Sequence, residues 1–172
     1  MEKRYIQVLP YDDSWPSEFM KIKTELETAL GGLALRIEHV GSTSVPGLWA
    51  KPIIDIDAVI KSYDCLGAVC GRLEAIGYVH RGDLGVKGRE AFKYQKKEHL
   101  MRHHLYVCPQ DSPELRRHVA LRDYLREHPE EAEEYSIVKR QAALLHPFDI
   151  DGYLAHKSAV IQDIYRKAGV AI

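Results

Sequence analysis

Two carboxylates spaced two residues apart, Asp55 and Asp57, stand in an otherwise apolar run over 53–60 that reads as a strand. Residues two apart on a strand point to one side, so both acids project from one face while the isoleucines between them face the core. Like charges held that close repel each other unless a cation or hydrogen-bond donors sit between them. A divalent metal suits the position, and Mg²⁺ is commonly held by one or two carboxylates together with substrate phosphates. A gap of twelve residues separates Asp55 from the Gly41-Ser42 pair, which Thr43 follows. Glycine lets backbone N–H groups approach an anion closely, and the hydroxyls add donors. Asp55 and Asp57 are therefore expected to hold Mg²⁺, and Gly41, Ser42 and Thr43 to cradle phosphate. The alternatives are acids that cap neighbouring loops or pair with arginine, and an ordinary strand-to-loop turn. Lys51 either contacts a phosphate as a point charge or lies beside the loop, with Pro52 fixing the entry to the strand.

The elements that must position these groups follow from periodicity. Residues 5–8 read as a short strand, and Ser14 with Pro16 opens a helix ending at Gly31-Gly32, proline near the start and glycine past the end. Residues 35–40 form a strand that feeds the Gly41 turn. Ser62 caps a helix carrying Leu66, Val69, Leu73 and Ile76 at spacings of three and four, closed by Gly77. Strands at 78–80, 92–95 and 104–108 complete the sheet, with Gly82, Gly85 and Gly88 marking a flexible connection able to close over a ligand. From Ser112-Pro113 onward the pattern is helical, jointed at His128-Pro129 and His146-Pro147, because the residue before a proline disfavours the helical region. The expected architecture is α/β (α+β), a mixed β-sheet flanked by helices, in one domain over 1–172. Its sheet-bearing core covers 1–110 and its C-terminal helices 111–172.

Further candidates for chemistry lie downstream. His103 and His104 are adjacent on a strand and point to opposite faces, so at most one faces the acids. His104 suits a general base or a third metal ligand, with a hydrogen-bonded sheet histidine as the alternative. Glu38 and Glu98 are the other acids that could substitute for a missing carboxylate. Tyr153 and Lys157, spaced i, i+4, either reach a nucleotide as a stacking ring and a phosphate contact or pack the last helix onto the sheet.

Composition bounds the function class. Lys+Arg of 24 against Asp+Glu of 25 gives a net charge of −1 over 172 residues, which lacks the broad cationic field of a general nucleic-acid binder. A local surplus exists between Arg81 and Arg102, where seven Lys or Arg stand against three acids. That segment faces a triphosphate or forms a solvated loop and edge strand whose lysines discourage aggregation. No apolar run approaches the ~20 residues that span a bilayer, and Met1-Glu2-Lys3-Arg4 leads into no signal-like stretch. A cytoplasmic protein is expected. The three cysteines show no CxxC spacing and read as reduced, mostly buried thiols.

The Gly-Ser pair followed by Asp-Ile-Asp resembles the signature of the nucleotidyltransferase superfamily. The fuller run from Glu38 through Leu48, with Lys51 to Ile56 after it, is similar to the GrpB family within that superfamily. The likeness extends over nearly the whole chain, through Trp15-Pro16, Gly77-Tyr78, His103 to Val107, Arg122 to Arg126, His128-Pro129-Glu130, Tyr153 and Lys157. It implies the nucleotidyltransferase fold, Mg²⁺ at Asp55 and Asp57, a nucleoside triphosphate or other phosphorylated small molecule as partner, and nucleotidyl transfer to an acceptor. It also implies that Arg122 and Arg126, on one helix face, hold phosphate or the second substrate; a salt-bridged helix–sheet contact is the alternative. Domains resembling this one occur joined to dephospho-coenzyme A kinase in some bacteria. The chain departs from the pattern on one strand: His104 and Tyr106 stand where the superfamily often has a third acid and the family often a second histidine. That departure keeps a second expectation open, a phospho-ligand-binding module without turnover.

Overall fold

The computed structural model describes residues 4–171, so the start of the charged Met1-Glu2-Lys3-Arg4 segment lies outside the described residues. Pro16 sits in the first turn of α1 (Trp15–Leu30), and Gly31, at φ 54°, ends it. Buried Trp15, Phe19, Ile22, Leu26 and Leu30 form its apolar stripe, the three-and-four spacing of a helix with one buried face. After β1 (Arg36–Val40) and a short 3₁₀ turn at Ser42–Ser44 comes β2 (Ile54–Ile60). Then follow α2 (Leu66–Ala75), β3 (Tyr78–His80), β4 (Glu90–Tyr94) and β5 (His103–Pro109). Three helices close the chain, α3 (Pro113–Glu127), α4 (Pro129–Leu145) and α5 (Ile150–Lys167), two of them opened by proline.

The five strands form one mixed sheet in the order β1-β2-β5-β4-β3. Among the described residues only β2 and β5 pair in parallel; β1 with β2, β4 with β5 and β3 with β4 are antiparallel. Alternation along β2 sorts its side chains into two layers. Ile54, Ile56, Ala58 and Ile60 join Ile37, Leu105 and Val107 in the large core against α1 and α2. Asp55, Asp57 and Val59 face the opposite side, where Val59 and Cys108 pack on Leu115 of α3. A second core, Val45, Leu48, Leu125, Tyr135 and Ile164, ties the segment after the Gly41 turn to α3, α4 and α5.

The expected strand over residues 5–8 is not formed. Ile6 N–H instead donates to the Pro147 carbonyl, 2.8 Å, and only Leu9 makes a β-bridge, to Ala50. A run of four residues can satisfy its backbone against loops as well as against a sheet, and periodicity alone does not choose between the two. No described helix is long and apolar enough to cross a membrane.

Candidate phosphate and metal site

Gly41 ends β1 at φ 71°, a conformation that costs glycine little and other residues much. A Cβ there would fall 2.9 Å from the Cβ of Asp55 and collide with its carboxylate. The chain then makes a tight turn, Ser44 Oγ donating to the Gly41 carbonyl at 2.5 Å and Val45 N–H to the Ser42 carbonyl at 3.2 Å. The turn is pinned from behind. His39 Nε2 and Thr43 Oγ1 share a hydrogen bond of 2.9 Å, and the His39 ring stacks on Phe19 with centroids 4.6 Å apart. Burial pushes the His39 imidazole down to about 4, so it is neutral. Thr43 is buried in this contact and is not among the residues lining the cavity in front of the turn.

A cavity of about 130 Å³ opens in front of the turn. It is lined by Ser42, Lys51, Ile53, Asp55, His104, Lys139, Tyr153 and Lys157. Six residues singled out from sequence, spread from Ser42 to Lys157, therefore meet in one place. His104 Nδ1 lies 3.0 Å from Asp55 Oδ1, the two residues being register partners across the parallel pair. His103 points the other way, buried and hydrogen-bonded to Tyr78 Oη at 2.7 Å.

Asp57, fully buried, is held by a residue that sequence did not single out. His118 of α3 places Nδ1 2.6 Å from Asp57 Oδ2 and Nε2 3.7 Å from Glu114 Oε2. Burial pushes the Asp57 carboxyl up against the pull of His118. Burial disfavours the charged imidazole of His118, but its hydrogen bond to the Asp57 carboxylate and the charges of Asp57, Glu114 and Asp55 leave its pKa raised. Asp57 Oδ1 is buried without a hydrogen-bond partner. Arg89, its guanidinium 4.2 Å from the Tyr106 ring centroid, is the member of the basic 81–102 segment whose charge reaches Asp57. Lys97 of that segment is buried in an ion pair with Glu25 instead, and none of the segment's basic residues lines the cavity.

The second missed residue is Lys139, almost fully buried on α4, whose Nζ donates to Ser42 Oγ at 3.0 Å. Burial and the neighbouring charges of Lys157 and Lys51 push its ammonium far down. Lys157 is likewise pushed down to about 8, first by burial and then by Lys51. Lys51 and Lys157 hold their Nζ atoms 5.3 and 5.1 Å from the Tyr153 ring centroid. That ring is only 1% exposed, so it carries lysines and offers no face for a base to stack on.

Arg122 and Arg126 lie outside the cavity. Arg122 donates to Glu38 at 2.7 Å, to the His39 carbonyl at 3.1 Å and to Asp123 at 2.8 Å, while Arg126 donates to the Ser44 carbonyl at 2.9 Å. They clamp α3 to β1 and the turn. Glu38 is taken up by Arg36 and Arg122, and Glu98 lies exposed beyond β4. Among the described residues no group of three or more His, Cys, Asp or Glu is arranged to hold a metal.

A Gly-Ser turn beside an Asp-Ile-Asp strand in a mixed five-stranded sheet defines a nucleotidyltransferase-type fold. Solved structures agree at the level of fold. The GLD-2/RNP-8 complex matches with TM-score 0.61 at 14% identity, over 91% of this chain and 61% of that one. The Cid1 poly(U) polymerase with MgGTP bound matches with TM-score 0.58 at 14% identity, over 78% and 44%. Within that class the chain belongs to the GrpB family, whose model, "GrpB protein", matches residues 5–167. GrpB from Enterococcus faecalis superimposes with TM-score 0.83 at 36% identity, over 94% of this chain and 96% of that one. The UPF0157 protein YqkA of Bacillus subtilis is 36% identical over 93% of this chain, which spans 46% of that relative's length. A dephospho-CoA kinase of Mycolicibacterium paratuberculosis is 28% identical over 95% of this chain and 46% of its own length.

Proposed function

We propose that the protein binds a nucleoside triphosphate with its phosphates in the Ser42 cavity and transfers the nucleotidyl group to a hydroxyl or phosphate acceptor in a Mg²⁺-dependent reaction. The observation that carries this is the convergence of Ser42, Lys51, Lys139 and Lys157 on Asp55 in one small cavity. Three lysine side chains there face a single carboxylate, and an anion of several charges bound among them would favour their ammonium forms.

Asp55 and Asp57 would hold the metal. Asp57 fits that role because its Oδ1 is buried and unpartnered, an atom that needs a cation or a proton. Mg²⁺, when bound, would draw off phosphate charge and help align an in-line displacement. The chain's own groups do the rest. Ser42 Oγ accepts from Lys139, which leaves its O–H to donate to a phosphate oxygen. The Gly41-Ser42 backbone can approach the phosphates because no side chain intervenes at Gly41. With Nδ1–H donating to Asp55, the His104 ring presents its Nε2 lone pair to take the acceptor's proton. His104 is exposed enough, 45% of its side chain, for an acceptor to reach it.

Pyrophosphate release from the full chain, incubated with Mg²⁺ and each nucleoside triphosphate, tests this. Release by the native protein and its loss in Asp55→Asn is the expected result. If neither Mg²⁺ nor any nucleotide raises the melting temperature, the assignment of metal and phosphate to this cavity is wrong, because a ligand that binds the native state stabilises it. One observation favours a second function, a binding module: His104 and Tyr106 are the β5 register partners of the two acids, and neither supplies a carboxylate. Nucleotide-dependent stabilisation without pyrophosphate release would select it. The match to a protein named dephospho-CoA kinase supports a setting in nucleotide or cofactor metabolism.

A further inference from the structure

A cavity of about 130 Å³ is below the roughly 300 Å³ at which pockets take small organic ligands. It has room for phosphates, and the rest of a nucleotide must lie outside it. The Tyr153 ring is covered by lysines, so the nucleoside needs another platform.

A second cavity, of about 350 Å³, runs between α3 and α5 and shares Lys157 with the first. From α5 it is lined by Leu154, Lys157, Ser158, Ile161, Gln162 and Tyr165, one stripe at helical spacing. Lys157 to Tyr165 is eight residues, about 12 Å along a helix. The opposite wall is Glu114 and Arg117 of α3, paired at 2.6 Å. Glu114 also neighbours His118, which holds Asp57. The groove is thus joined to the phosphate cavity through Lys157 and to the buried acid through Glu114 and His118.

We propose that this groove is the nucleoside subsite of the nucleotide whose phosphates occupy the Ser42 cavity, a proposal that rests on the phosphate assignment above. With phosphates at Lys157, the ribose follows along α5 and the base lies toward Tyr165. Ile161 and the Tyr165 ring supply the apolar and aromatic surface that a heterocycle stacks on. Gln162 offers a donor and an acceptor to its edge, and Glu114 accepts from ribose hydroxyls.

Isothermal titration of the full chain compares the four nucleoside triphosphates, each with Mg²⁺, against inorganic tripolyphosphate. Ser158→Trp fills the groove from an exposed position on α5, and Gln162→Ala removes the amide without filling it. The expected result is that at least one triphosphate binds the native chain more tightly than tripolyphosphate does. Its affinity then falls at least tenfold in Ser158→Trp and several-fold in Gln162→Ala, with tripolyphosphate unchanged within twofold. A melting curve verifies that Ser158→Trp is folded, and Gln162→Ala decides if it is not. Nucleotide affinity unchanged in both variants, or a parallel loss of tripolyphosphate, overturns the subsite. So does native binding of nucleotides no tighter than tripolyphosphate, which leaves the phosphate assignment standing. Binding of neither ligand to the native chain overturns both.

Discussion

Gly41 and Asp55 approach each other so closely that the turn and the carboxylate form a single unit. Two penalties face any side chain at position 41: a backbone at φ 71° and contact with the Asp55 carboxylate. Gly47 separates them, since its φ is 82° but a Cβ there would meet nothing within 4 Å. Gly47→Ala should therefore show the backbone cost alone, about 1–2 kcal/mol, and leave nucleotide and tripolyphosphate binding intact. Gly41→Ala should cost more, about 2–4 kcal/mol when backbone strain and the displaced carboxylate are combined, and should abolish binding. Urea unfolding of the two variants with a binding titration on each checks this. Equal destabilisation with binding retained in Gly41→Ala would show that the close approach to Asp55 has no role.

At the scale of elements, α3 is unusual in the face it turns to the sheet. Glu114, His118, Arg122 and Arg126 stand four residues apart in series, and all but the first bond directly to β1, β2 or the turn. His118→Ala leaves the Asp57 carboxyl buried with no donor, which should cost about 3 kcal/mol. Adding Asp57→Asn should recover part of that loss, because a neutral amide tolerates burial better than an orphaned carboxylate. A double-mutant cycle by chemical denaturation measures the coupling, and strict additivity would mean that the 2.6 Å contact contributes nothing. This ladder also marks how far the sequence could be read. The strands of the acids, the turn and the outline of the helices were legible because short-range periodicity and Gly/Pro punctuation specify them. His118 and Lys139 were not, since each needs a partner 61 or 97 residues away. Signals for both existed in retrospect. Lys139 falls within the buried stripe of α4, between Tyr135 and Ala142, and His118 continues the four-residue spacing of Arg122 and Arg126. The basic 81–102 segment stayed open between two readings for a related reason: composition counts charges but does not place them, and Lys97 is spent on Glu25.

On the scale of the whole molecule, the fold gathers three lysines from separate elements, Lys51 before β2, Lys139 on α4 and Lys157 on α5, around Asp55, with His104 and Tyr153 as the other titratable groups lining the cavity. Packing the helical half onto the sheet therefore works against the charge on these groups, which is why all three ammonium groups are pushed down. The consequence for stability has a definite sign. Lys157 titrates at about 8 in the fold and near 10.4 in an unfolded chain, so between those values the unfolded state binds more protons and stability rises with pH. Lys157→Met removes this contribution. The variant should exceed the native protein in melting temperature at pH near 7 by at least about 2–4 °C, and the difference should shrink as pH rises through 8 toward 10. An anion in the cavity reverses the balance by favouring the charged lysines, so its binding takes up protons. Stabilisation by sulfate, whose own charge is constant over this range, should accordingly weaken several-fold between pH of about 7 and 9.5 in the native protein, and much less in Lys157→Met. A difference between the two proteins that is flat in pH would mean that Lys157 keeps an ordinary ammonium in the fold, and that the cavity is not strained by its own charge in the way an anion site built from buried lysines must be.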